Sequence, residues 1–193
     1  MLSLRVIVSS SSSFWTSTCI NCLSHVRHCA GQRFGNMSSQ AKILGFAGAT
    51  SGGKSSICKW LENVLPKEGI AVKTVHMDYY YWDEDSPNHV LLPEFGNRFA
   101  NWEGKPLLQY FNKKYFFTLP KEECWKRRRS RTYVPPDPED YFEKVVWPCY
   151  LKLKEELASD TDIVYLDGTR NREELFEDIQ NDIIGLYEVS QPS

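Results

Sequence analysis

The run Lys42-Ile-Leu-Gly-Phe-Ala47 is a short apolar segment that reads as a buried strand bounded by glycine. It passes directly into Gly48-Ala-Thr-Ser-Gly-Gly53-Lys54-Ser55-Ser56. That continuation is G-x-x-x-x-G-K-[ST] in full, placed after a strand and before an apolar-periodic stretch, Ser56–Leu65, that reads as a helix. The residue types explain the chemistry. Glycines let the backbone turn at positive φ and bring successive N–H groups against phosphate oxygens. The start of the helix adds its positive end to the same anion. Lys54 reaches the β- and γ-phosphates of a nucleotide as a point charge, and the Ser55 hydroxyl can ligate the magnesium ion that bridges them. Gly48, Ala49, Thr50, Ser51, Gly52, Gly53, Lys54, Ser55 and Ser56 are therefore the candidate ATP-binding residues.

Working outward, Ala71-Val-Lys-Thr-Val-His-Met77 reads as a second strand and ends in Asp78, followed by Tyr79-Tyr80-Tyr81-Trp82. Ligands of open α/β sheets bind at the carboxyl ends of strands. A carboxylate there can accept the proton of an attacking hydroxyl, although a strand-end aspartate also suits a simple turn. The aromatic run fits a base-stacking wall or core packing. Tyr115–Leu119 reads as a third strand. After it come Pro120–Cys124, a helix start, and the basic segment Lys126-Arg-Arg-Arg-Ser-Arg131-Thr-Tyr133. Arginines on a flap can close over ATP, with Arg127 and Arg131 as candidates. A solvated helix face or a localisation patch would look the same. Pro135-Pro136 favours a lid-like turn after it. Pro138–Leu157 reads as a helix interrupted by Pro148, Ile163–Asp167 as a strand ending in an acid, and Glu173–Leu186 as an amphipathic helix.

The chain has 193 residues, a formal net charge of -2 and 41% hydrophobic residues. That size and balance suit one compact domain. Near-neutrality argues against a general nucleic-acid binder. No apolar run approaches the ~20 residues needed to span a bilayer, and no obligate protein partner is implied. Six cysteines are too few for a disulfide framework in a chain this long, which favours a reducing compartment. Residues 1–40 differ from the rest: they carry Arg5, Arg27 and Arg33, the serine run Ser9–Ser13, and no acid before Glu62. That is the composition of an organellar transit peptide. It equally fits an upstream extension before a second start at Met37. Cys19-Ile-Asn-Cys22 in this stretch is a C-x-x-C without a partner pair. The expected organisation is an extension over 1–40, disordered or transit-like, one domain over 41–187 with a lid at about 125–140, and a tail over 188–193.

Several blocks carry a resemblance. They are Gly48–Ser55, Met77-Asp-Tyr-Tyr80, Asn101-Trp-Glu103, and the series between Tyr115 and Phe176 that includes Glu122-Glu-Cys-Trp-Lys-Arg-Arg-Arg-Ser130, Pro135-Pro-Asp137, Val146-Trp-Pro-Cys-Tyr150 and Leu166-Asp-Gly-Thr169. From residue 42 to about 187 the chain resembles the nicotinamide riboside kinases, which belong to the uridine-kinase-like P-loop kinases. The resemblance implies a three-layer αβα P-loop nucleoside triphosphate hydrolase fold with a parallel sheet and a lid. It implies ATP and Mg²⁺ as cofactors and a nucleoside as substrate. It assigns Asp78 as general base for the ribose 5′-hydroxyl, Trp102 and Tyr133 as aromatic walls of the nicotinamide pocket, and Glu103 and Arg129 as ribose ligands. A cationic pyridinium favours aromatic faces, and a vicinal diol suits a carboxylate acceptor.

The same resemblance marks a departure. In the family a helix and a third strand follow the Trp-Glu pair, and that strand ends in a magnesium-binding glutamate. Here Glu103 passes at once into Gly104-Lys-Pro-Leu-Leu108, and a central strand next to the P-loop strand is expected to be missing. Asp167 does not replace the glutamate, because its strand matches the family's last one. The implied function is ATP-dependent phosphorylation of nicotinamide riboside to the mononucleotide. The alternatives are a truncated, non-catalytic isoform of such a kinase, or a kinase for another nucleoside such as uridine. The expected location is cytoplasmic, or mitochondrial if residues 1–36 act as a transit peptide.

Overall fold

The computed structural model describes residues 2–8, 42–76, 91–92, 98–99, 111–133 and 136–188. Strand β1 is Leu2–Val8, β2 is Lys42–Gly48, and helix α1 is Lys54–Val64. A 3₁₀ turn, Leu65–Glu68, holds Pro66 and stops at Gly69, whose φ of 75° suits glycine. Strand β3 is Ile70–His76. Leu91–Leu92 (β4) and Arg98–Phe99 (β5) pair antiparallel as a separate two-stranded ribbon. Then come β6, Lys113–Thr118, and α2, Lys121–Arg129. A π-turn, Phe142–Val146, runs into α3, Trp147–Glu156. Strand β7 is Ile163–Asp167 and α4 is Arg172–Glu188.

The main sheet has five strands in the order β3-β1-β2-β6-β7, and every neighbouring pair is parallel. All carboxyl ends therefore share one edge, where β2 ends at Gly48, β3 at His76, β6 at Thr118 and β7 at Asp167. Alternation along β2 and β6 sends side chains to two cores. Phe46, Tyr115 and Phe117 pack with Ile57 and Leu61 of α1 and with Phe176, Ile179 and Ile183 of α4. Ala47 and Phe116 face the other way, onto Cys124 of α2, Phe142, and Tyr150 and Leu153 of α3. Helices thus cover both faces, which is the three-layer αβα arrangement expected from the sequence.

Strand β1 departs from the sequence reading. That reading puts residues 1–40 outside the domain and leaves the central position beside β2 empty. Leu2–Val8 fills that position: Leu4 to Val8 pair with Lys42 to Phe46, and Leu2 to Val8 pair with Ile70 to His76. The physical reason is the demand of the two flanking strands. Buried ladder groups without partners cost about as much as lost hydrogen bonds, and Val6-Ile-Val8 has the β-branched character of a strand. The arginine and serine content of the wider segment masks this short run. Ser9–Ser13, Cys19, Cys22 and Met37 lie outside the described residues.

The helix expected over Pro138–Leu157 begins later and is reshaped by Pro148. Asp140 takes φ 59°, off the helical path. From Phe142 the chain winds as a π-turn, and the Trp147 N–H bonds to the Phe142 carbonyl, five residues back. The wider turn admits Pro148, which has no N–H and would clash in a regular helix interior.

Candidate active site

The phosphate loop is built on close backbone approach. Gly48 has φ 112°, and a Cβ on it would lie 2.1 Å from the Phe117 carbonyl oxygen. Only glycine fits there. The neighbouring Ala49 N–H donates to that same carbonyl at 2.9 Å, so the loop leaves β2 clamped to β6. Ser51 (φ 57°) and Gly53 (φ 111°) take left-handed or positive-φ backbone, and the Gly52 N–H donates to the Ala49 carbonyl at 3.1 Å. Helix α1 then starts at Lys54, with its first intrahelical bond from the Ile57 N–H to the Gly53 carbonyl. The N–H groups of Lys54, Ser55 and Ser56 precede that bond and have no intrahelical acceptor. This is the concave row of donors that an anion requires.

Lys54 is buried at 4% exposure, and its Nζ donates to the carbonyls of Gly48 (2.9 Å) and Ala49 (2.7 Å). Carbonyl dipoles thus hold its ammonium inside the loop. Ser51 Oγ is buried with no hydrogen-bond partner among the described residues. Both features fit a phosphate chain, which supplies acceptors for Nζ and for an orphaned hydroxyl. Ser55 is exposed in the first helical turn, where a hydroxyl can meet a hydrated cation. Among the described residues no group of three His, Cys, Asp or Glu side chains is placed to hold a metal. Among the described residues, Ser55 would hold a magnesium ion, together with phosphate oxygens and water.

Helix α2 closes over the loop. Cys124 and Arg128, one turn apart and both buried, face Thr50: Cys124 Sγ donates to the Thr50 carbonyl at 3.2 Å, and Arg128 Nη1 to Thr50 Oγ1 at 3.0 Å. Arg128 Nε also pairs with Asp137 Oδ2 at 2.7 Å, and its guanidinium lies 4.5 Å from the Tyr133 ring centre. Burial pushes the Cys124 thiol up to about 11, while the charges of Lys54, Arg128, Arg127 and Arg131 act to lower it. Two cations, Lys54 and Arg128, thus contact the loop directly.

The candidate residues separate into three groups. Gly48 to Ser56 form one continuous cradle. Of the basic segment, Arg127 bonds to Glu123 (2.6 Å) and donates to the Gly168 carbonyl (3.0 Å), which braces α2 on the end of β7. Arg131 is exposed at the end of α2. Arg129 lies on the outer side, 5.7 Å from the Trp125 ring centre. Tyr133 sits under Arg128, and its hydroxyl is buried with no hydrogen-bond partner among the described residues. Asp78, Trp102 and Glu103 lie outside the described residues.

Sequence reasoning missed Arg128, Asp137, Phe117 and Gly168. Arg128 could have been picked from its basic run, since it falls four residues after the apolar Cys124 and so shares its face. Gly168 touches the loop: a Cβ on it would lie 3.2 Å from the Gly52 carbonyl oxygen and 3.1 Å from that of Thr118. No sequence signal points to that contact. Asp167 caps its own turn instead, accepting from the Thr169 N–H (2.9 Å) and hydroxyl (2.7 Å), and those bonds hold its carboxyl below the usual carboxylate range.

No protein-family model matches the chain. Comparison with curated proteins is more informative. The chain is 54% identical over 80 residues to nicotinamide riboside kinase 1 of Mus musculus, covering 41% of each. It is 44% identical over 115 residues to nicotinamide riboside kinase 2 of Homo sapiens, covering 57% of this chain and 49% of the relative. In these higher-identity matches the chain spans less than half of the relatives' length. A longer match, 32% identical over 192 residues, is to nicotinamide riboside kinase 2 of Mus musculus and covers 74% of this chain and 97% of the relative. Since 74% of 193 is about 143 residues, laid over 192 aligned positions, this chain is shorter than that relative inside the match. That agrees with a segment missing after Glu103. With a relative above 30% identity matched over nearly its whole length, the chain belongs to the nicotinamide riboside kinase family.

Proposed function

We propose that the chain transfers the γ-phosphoryl group of ATP to the ribose 5′-hydroxyl of nicotinamide riboside, giving nicotinamide mononucleotide for NAD synthesis. The observation that carries this reading is the phosphate loop, with Lys54 Nζ buried among its carbonyls and α2 closed over Thr50. The names of the relatives supply the acceptor. In the reaction the 5′-oxygen bonds to the γ-phosphorus, the bond from that phosphorus to the β-bridging oxygen breaks, and ADP leaves. Asp78, two residues past the end of β3, takes the hydroxyl proton. Lys54 and the N–H groups of Lys54 to Ser56 hold the charge on the phosphate oxygens, and Arg127 and Arg131 add cationic charge from the lid. Trp102, Tyr133, Glu103 and Arg129 recognise the riboside. Ser55 would hold a magnesium ion, which would supply positive charge to offset that of the phosphate oxygens.

One observation favours a second reading, a nucleotide-binding protein with little or no turnover. The strand beside β2 ends at Val8, and no acid follows it before Glu62. The site then has one hydroxyl for magnesium and no described carboxylate beside it. The test is mass-spectrometric detection of the mononucleotide after incubation with ATP, Mg²⁺ and the riboside, with Lys54→Ala as control. Product that disappears in the control supports the kinase. Absence of product from folded protein that binds ATP supports the second reading.

A cytoplasmic location is proposed on the same footing, because a mitochondrial address would use residues 1–36 and β1 lies within them. Sequencing the mature N-terminus from fractionated cells decides it. A mitochondrial form starting near residue 37 would overturn the cytoplasmic reading.

A further inference from the structure

Arg128 carries more contacts than a buried cation needs. A guanidinium at 6% exposure requires a counter-charge, and Asp137 supplies it at 2.7 Å. The ion pair alone would satisfy the charge. Yet the same fork also reaches the hydroxyl of Thr50, in the middle of the phosphate loop, at 3.0 Å, and its plane lies over the Tyr133 ring at 4.5 Å. Three chain segments meet on one side chain: the loop, helix α2, and the stretch that returns from it. Cys124, one turn back, holds the Thr50 carbonyl at 3.2 Å, so α2 grips Thr50 through its backbone and its side chain.

We propose that Arg128 is a positioning residue that couples the phosphate-binding loop to the segment bearing Tyr133, so that the phosphate donor and the nucleoside wall are set by one rigid link. Arginine suits this role because its planar fork donates in two fixed directions while its face stacks on a ring. Lysine keeps the charge, but its three donors radiate from one nitrogen, so it does not reproduce the fork that sends Nε to Asp137 and Nη1 to Thr50. The coupling claim concerns this chain's own residues. Only its consequence for turnover rests on the kinase reading.

The test is amide exchange on the full chain. Thr50→Val removes the hydroxyl and leaves the loop backbone unchanged in composition. With Arg128 in place, the change should travel through the fork and raise exchange at the Tyr133 and Asp137 amides by about tenfold, the scale of one hydrogen bond to a charged group. In an Arg128→Lys background the same Thr50→Val change should add nothing at those amides. A structural arginine that merely fills space would give the same increment in both backgrounds, and that result overturns the proposal, as does no response in either. If Arg128→Lys does not fold, Asp137→Asn opens the link from its other end, and exchange should then rise at Ser51. An unchanged Ser51 amide overturns the proposal. In the activity arm, Arg128→Lys should lower kcat by at least about tenfold with a smaller change in KM for ATP, because misplacement of donor and acceptor acts on the chemical step. An unchanged kcat overturns the coupling of the two substrates. A wild-type chain that gives no product removes the kinase reading and leaves the exchange result to decide the coupling.

Discussion

Strand β1 makes the sharpest claim on the fold, and Val6→Pro tests it. Val6 lies inside β1, opposite Leu44 of β2 and Thr74 of β3. A proline there removes a backbone donor from a strand paired on both sides, a place where proline is essentially not found. The loss expected for the single change is ~3 kcal/mol or more, by analogy with proline in a helix interior. The whole strand is worth more. It occupies five register positions against β2 and seven against β3. Parallel pairing supplies about one ladder bond per position. At ~0.5–1.5 kcal/mol net per bond, removing residues 1–8 withdraws stabilisation comparable to the ~5–15 kcal/mol that holds a typical domain together. The assay is urea unfolding followed by circular dichroism. Val6→Pro should lower the midpoint and the deletion should abolish the cooperative transition. If both variants unfold at the wild-type midpoint with the wild-type slope, Leu2–Val8 is not in the sheet. The targeting or upstream-extension reading of residues 1–36 then regains its force.

Three further outcomes follow from particular contacts. Gly48→Ala should cost at least about 3 kcal/mol and abolish nucleotide binding by calorimetry, because its Cβ would meet the Phe117 carbonyl oxygen at 2.1 Å with φ at 112°; tight binding by the variant would refute the loop geometry. The Lys114 ammonium donates to Asp160 at 2.6 Å and holds that carboxyl below its usual range. A lowered carboxylate contributes stability in full above its unfolded value near ~4 and loses it as pH falls through the native value. Asp160→Asn should therefore lower the urea midpoint at pH 7, and the gap to wild type should close below about pH 4; a gap that widens in acid reverses the sign and sinks the assignment. Burial holds the Cys124 and Cys149 thiols up at about 11 and about 12, so at pH 8 both should react with iodoacetamide far more slowly than a free cysteine, by peptide mass spectrometry; rapid labelling of Cys124 would mean that α2 does not close over Thr50.

How much of this was legible in the sequence depends on how local the cause is. The loop was fully legible, because G-x-x-x-x-G-K-S encodes its own backbone and needs no partner to be recognised. Strands Lys42–Gly48 and Ile163–Asp167 were legible as apolar runs ended by glycine or acid. The contacts of α2 were half legible. Composition marked the basic segment, but a run of arginines does not say which one turns inward. Only the spacing from Cys124 to Arg128 carries that, and its meaning depends on Thr50, 78 residues away. Contacts made by backbone were not legible at all, since the Phe117 and Gly168 carbonyls act whatever their side chains. The central strand was misread for a related reason. Leu2–Val8 is too short to outweigh the arginines and serines around it, and what makes it a strand is the pair of open ladders on β2 and β3.

That substitution bears on the chemistry as much as on the fold. A parallel sheet places its ligand-binding groups at the carboxyl ends of strands, so the identity of the strand in each position fixes what stands beside the phosphates. Here the position beside β2 is held by a strand whose backbone fits the ladder on both sides but which ends in Val8. Pairing depends on backbone groups and is indifferent to that last side chain, whereas a cation held at that strand end would need an oxygen ligand from it. The sheet can therefore be complete among the described residues while the strand beside β2 brings no carboxylate to its carboxyl end. An acid at the end of β1 separates the two effects: Val8→Glu leaves the pairing positions filled and returns a carboxylate to the sheet edge. If the weak point of this chain is the metal and not the fold, Val8→Glu should raise turnover, and the gain should disappear when Mg²⁺ is withheld. A variant that folds as wild type, binds ATP and still gives no additional mononucleotide would place the defect elsewhere in the segment that this chain lacks.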